Sequence, residues 1–241
     1  MRADLMTAQK APLTIPKPRR RREVRDPYDG LRPWSAITHG VGAALALAGT
    51  ALLLARSAAM GKWLYFGLFA VYGLSMVCLY TASTLYHCLN VSVPGRLALR
   101  KYDHCSIYLL IAGSYTPLCL TVLRESGGVP LIIAVWSLAV AGTVLTIARL
   151  GIPRWLTSAI YLFMGWLALF AIVPIYHALP ADGFFWLLAG GILYTVGGVL
   201  YAVKWPGRNN PRFGCHEIFH LFILLGSAAH FVMMYGVVLA L

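Results

Sequence analysis

Four ionisable side chains set among apolar residues carry the most chemistry in this chain: His87, Asp103, His216 and His220. His216 and His220 are four apart, so a helix would put both imidazoles on one face. Two His at that spacing can point at one metal ion. A third imidazole, from His87, completes a three-nitrogen set with the fourth tetrahedral position open to water, the arrangement of a catalytic rather than a structural zinc site. Zinc lowers the pKa of such a water to roughly 7. Asp103 could accept its proton, and Ser83, four before His87 and on the same helix face, could donate to the water or to a developing oxyanion. The chemistry expected is hydrolysis of a lipid amide or ester, with one Zn2+ per chain, metal ligands His87, His216 and His220, and catalytic residues Asp103 and Ser83. Each residue has a plainer reading. A His pair at i, i+4 can be hydrogen-bonded packing, and Asp103 can be a helix N-cap.

The elements that must position these residues follow from composition. Of 241 residues, 59% are hydrophobic and 12% charged, which a soluble domain cannot bury. Spans are expected at 36–55, 63–86, 103–123, 130–149, 155–175, 184–203 and 214–240. Most are near the ~20 residues that a helix needs to cross the hydrocarbon core. The fold class is therefore an all-α, seven-transmembrane helix bundle. Seventeen of the twenty Lys and Arg fall before the first span or in the even-numbered loops, against three in the odd loops. By the positive-inside rule the N-terminus is cytoplasmic and the C-terminus outside. His87, Asp103, His216 and His220 then all reach the cytoplasmic side. Charged groups at membrane depth cost roughly 3 kcal/mol on insertion scales, so such a cluster points to function.

Residues 1–33 read as a disordered basic cytoplasmic tail, and 34–241 as the membrane domain. The run Arg19–Arg22 is expected against anionic headgroups, and the net charge of +12 follows from topology without a nucleic-acid partner. The localisation expected is a bacterial inner membrane, multi-pass, with membrane lipids as partners and a lipid substrate within the bundle. The five cysteines form no C-x-x-C pair; Cys88, Cys105 and Cys215 adjoin candidate ligands in sequence.

The segments TASTLYHCL, RKYDHCSIYLLIAGSYTPL and CHEIFHLFILLGSAAHF resemble the hemolysin III branch of the progestin and adiponectin receptor (PAQR) family. The resemblance covers all seven spans. It implies zinc bound by His87, His216 and His220, with Asp103 and Ser83 beside it. The wider superfamily includes alkaline ceramidases, which suggests hydrolytic chemistry by analogy. One departure is the start of the first span. The family often has a Glu and an Asn upstream of its His, whereas LRPWSAITHG offers Ser35 four before His39 and no Glu. His39 either supports the site or sits at the helix mouth. Glu217 is expected in a structural or supporting role, His104 against a neighbouring helix or headgroups, and His177 in an outer loop. His230 lies too far along the last span to share the metal.

Two other functions compete with a hydrolase. One is a receptor or membrane-homeostasis sensor with structural zinc. The other is a pore-forming cytolysin, disfavoured because a pore needs polar groups along its length, whereas the sequence gathers them at one end and leaves the middle apolar.

Overall fold

The structure, a computed structural model, describes residues 30–148, 154–208, 210 and 212–241. The basic tail therefore lies, as far as residue 29, outside the described residues, as do Arg149 and Pro153. The described residues form α1 (Pro33–Ala59), α2 (Trp63–Cys88), α3 (Val93–Pro117), α4 (Gly128–Ile147), α5 (Arg154–Trp166), α6 (Ile172–Ala178), α7 (Ala181–Val203) and α8 (Cys215–Gly236). Among them are seven helical spans long and apolar enough to cross a membrane. The chain is an all-α bundle of seven such helices, a multi-pass membrane protein.

The third span departs most from expectation. It runs over Val93–Val122 rather than starting at Asp103. Arg96, Arg100 and Lys101 make its first turns look like a loop by hydropathy. The Ser92 hydroxyl caps these turns by accepting from the Gly95 N–H at 3.4 Å. Arg96 is buried, its guanidinium donating to the Tyr86 carbonyl at 2.9 Å and lying 4.6 Å from the centre of the Tyr86 ring. Arg96 thus satisfies a carbonyl that the end of α2 would leave unpaired. Asp103 is an interior helix residue about 15 Å from the start of α3, not an N-cap.

The fifth span is broken. α5 passes through a tighter turn, Leu167–Ala171, into α6. Backbone groups freed by such a break need partners, the more so in lipid. Tyr115, from α3, supplies them. Its hydroxyl donates towards the carbonyls of Gly165 (2.7 Å) and Met164 (3.1 Å) and accepts from the Ala168 N–H (2.8 Å). His177, expected in an outer loop, stands in the last turn of α6.

The apolar core contains Leu53, Phe69 and Tyr72 from α1 and α2, and Met233 and Met234 from α8, all buried. Six of its buried polar residues form one group. Ser35 and His39 in α1, Ser83 and His87 in α2, and Glu217 and His220 in α8 are all buried. They meet where α1 and α8 begin and α2 ends.

Candidate metal centre

Each of these helix ends contributes for a local reason. α2 runs unbroken to Cys88, which carries Ser83 and His87 into the bundle on its final turns. α8 starts at Cys215 because Glu217 caps it: its Oε2 accepts from the Gly214 N–H at 2.8 Å. That cap sets the register that turns His216 and His220 inward. The Arg32 N–H donates to the His87 carbonyl at 3.2 Å, tying the start of α1 to the end of α2.

His87, His216 and His220 form a cluster able to hold a metal ion, each offering one ring nitrogen within 4.8 Å of the others. The Nε2 atoms of His87 and His216 are 3.2 Å apart. Two nitrogens bound tetrahedrally to one zinc would be separated by ~3.4 Å, given bonds of ~2.0–2.1 Å. This pair therefore stands at a ligand spacing already. The third ligand's tautomer is set by α1. His220 Nδ1 lies 3.3 Å from the Ser35 carbonyl. A carbonyl only accepts, so Nδ1 carries the proton and the Nε2 lone pair is free for a metal. His87 Nδ1 is buried without a hydrogen-bond partner. The donor set, three imidazoles in an apolar surround, suits zinc.

Two groups hold the ligands. His39 stacks face to face on His220, ring centroids 3.6 Å apart and planes 12° from parallel. It supports the cluster rather than standing at the helix mouth. Glu217 is not one of the three clustered residues. Its Oε1 accepts from Arg32 at 2.9 Å and from the Ser35 hydroxyl at 3.0 Å. The carboxylate bridges the first turns of α1 and α8, as its expected supporting role requires. Sequence reasoning missed Arg32, counted only as a tail charge, and Arg96, counted as a loop charge. Glu217 three after Gly214 carried a legible capping signal; neither arginine carried one.

Asp103 comes from α3 and Ser83 from α2. Both line a cavity of about 560 Å³ together with His39, His216 and His220. The structure thus brings all five expected site residues to one end of the bundle, with Asp103 and Ser83 on the wall of the cavity that His216 and His220 also line. From there the cavity extends between α3, α5, α7 and α8 past Ile111, Leu188 and Met233. His104 lines it as well, its backbone carbonyl accepting from Tyr161 at 2.9 Å. None of the cysteines belongs to the cluster. Cys88 and Cys105 donate weakly to the carbonyls of Leu85 and Thr143. The middle of the bundle is less apolar than the sequence suggests. Tyr80, Tyr194, Ser227 and His230 form a second polar group there, so a wholly apolar middle is no argument against a pore.

Comparison with known proteins agrees with this architecture. The sequence model of the family described as haemolysin-III related matches residues 33–231. Hemolysin-3 of Bacillus cereus is 40% identical over 197 residues, covering 82% of this chain and 87% of that protein. The Hemolysin-3 homolog of Bacillus subtilis (strain 168) is 39% identical over 197 residues, covering 82% and 89%. The adiponectin receptor protein of Drosophila melanogaster is 26% identical over 188 residues, covering 65% of this chain and 39% of that receptor. The chain belongs to the haemolysin-III related branch of the progestin and adiponectin receptor family.

Proposed function

We propose that the protein is an intramembrane zinc-dependent hydrolase acting on a lipid amide or ester. The observation that carries the reading is that Asp103 and Ser83 line the same lipid-sized cavity as His216 and His220. His87, His216 and His220 would hold the metal, which supplies Lewis acidity and an activated water. Asp103 takes up the proton at its carboxylate, and Ser83 holds that carboxylate in place through its hydroxyl. The apolar walls from α3, α5, α7 and α8 receive the acyl chain and exclude bulk water. The Lys and Arg distribution supports a site at the cytoplasmic face, with the tail on that side against anionic headgroups.

A second reading is a receptor-like protein in which the metal is structural, favoured by the similarity to an adiponectin receptor. One experiment separates the two. Purified protein is assayed for metal, and for release of fatty acid from ceramide and ester lipids, alongside His87→Ala and Asp103→Asn. The hydrolase reading expects about one zinc per chain in wild type, loss of metal with His87→Ala, and retained metal without turnover with Asp103→Asn. Zinc-loaded wild type that releases no fatty acid from any of these lipids favours the structural reading.

A further inference from the structure

About three turns along α8 from the metal cluster, the same cavity meets polar groups that the proposed reaction does not use. His230 lies about 15 Å beyond His220 along the helix. Its Nε2 is 3.3 Å from the Leu187 carbonyl. The carbonyl only accepts, so the proton is on Nε2 and Nδ1 offers a lone pair. Tyr194 sits edge-on to that ring, centroids 5.4 Å apart. Tyr80 donates to the Ser227 hydroxyl at 2.7 Å, and Ser227 is 2.9 Å from the Tyr194 hydroxyl. Either hydroxyl of that second pair can donate; with Ser227 donating, Tyr194 keeps its own proton to give. Both His230 and Tyr194 line the cavity.

A further observation marks the place. The facing helices make room for the two rings. A side chain at Gly190 would collide with the His230 ring, and a Cβ at Gly226 would come within 2.6 Å of Tyr194. Glycine costs helix stability, and here it allows two polar aromatics to sit crosswise between α7 and α8.

We infer that His230 and Tyr194 form a second subsite of the cavity, which receives a hydroxyl carried partway along the chain of a single-chain amphiphile whose carbonyl end lies at the metal cluster. A hydroxyl is the group that fits both sides, donating to His230 Nδ1 and accepting from Tyr194; an ester carbonyl can only accept. The inference rests on the reading that lipid fills the cavity, but not on hydrolysis.

The test is equilibrium binding of two fatty acids, with a third as a depth control, to the purified full-length protein in detergent. In extended 12-hydroxyoctadecanoate, the hydroxyl is about as far from the carboxyl group as His230 is from His220. It should bind about fivefold more tightly than octadecanoate, the gain of one net hydrogen bond. 2-Hydroxyoctadecanoate, with its hydroxyl at the wrong depth, should show no such gain. Tyr194→Phe and His230→Gln should each remove the difference, with zinc content and elution volume reporting that the fold survives. Gly190→Ala, which displaces the His230 ring without altering its chemistry, should act like His230→Gln. Equal binding of the two acids by wild type, or a preference that survives both substitutions, overturns the subsite. If neither acid binds, the lipid-filled cavity falls with it.

Discussion

His39 lies flat against His220, ring on ring at 3.6 Å, although α1 supplies no ligand to the three-imidazole cluster. The stack fixes the plane of His220, and the Ser35 carbonyl on the same helix fixes its tautomer. α1 therefore acts as the back wall of the three-imidazole cluster. Groups that orient a ligating imidazole typically change metal affinity 10–100-fold when removed. His39→Ala should weaken zinc binding by about tenfold, measured by competition with a chromogenic chelator. His39→Phe keeps a flat ring at that place and should retain most of the affinity. Equal loss in both variants would mean that the His39 nitrogens, not its ring, matter to the metal.

The clustered imidazoles of His87, His216 and His220 are legible in the sequence because each signal is local. Ser83-x-x-x-His87 and His216-x-x-x-His220 are helix-face patterns, and their placement at the ends of apolar spans puts them at one depth. The supports were not legible, because they join residues far apart in sequence. Arg32 pairs with Glu217 across 185 positions, and nothing in LRPW distinguishes a buried arginine from a headgroup-facing one. The first turns of the third span are hidden by their charges rather than by distance in sequence. Hydropathy counts Arg96 as solvated, whereas the Tyr86 carbonyl and ring accommodate its charge.

Glu217 is the most constrained of these supports. Its side chain is 1% exposed and its carboxylate accepts from Arg32, Ser35 and the Gly214 N–H. Breaking a buried ion pair on one side costs about 3–5 kcal/mol, because the remaining charge is left without its partner. Arg32 keeps some access to solvent, so the lower end of that range applies here. Glu217→Gln should lower thermal stability in detergent by about 3 kcal/mol, read from unfolding followed by intrinsic fluorescence. Adding Arg32→Met should recover part of the loss, since it removes the stranded charge. If the double variant is less stable than Glu217→Gln alone, the pair does not account for the effect.

Tyr115 tests whether the break in the fifth span is held from outside. Its hydroxyl sits between the carbonyls at the end of α5 and the Ala168 N–H of the tight turn that follows. Losing it leaves backbone groups unpaired, at about 1–3 kcal/mol. Tyr115→Phe should lower the unfolding midpoint while leaving zinc content unchanged, since the ring stays in place and the metal ligands are on other helices. Reduced zinc in this variant would show that the break and the metal centre are coupled.

The Ser83–Asp103 pair separates holding from proton transfer. Ser83 and Asp103 come from adjacent helices, α2 and α3, and line the same cavity wall. If Asp103 is the base, replacing it removes a contribution of roughly 10²–10⁴ in rate. Ser83→Ala keeps the carboxylate but lets it turn away, so its effect is limited to about one net hydrogen bond, roughly tenfold. The expected order of kcat for lipid amide hydrolysis is wild type, then Ser83→Ala, then Asp103→Asn, with zinc content equal in all three. Ser83→Ala as slow as Asp103→Asn would make the serine hydroxyl a direct participant, donating to the developing oxyanion. Asp103→Asn as fast as wild type would remove the carboxylate from the proton's path.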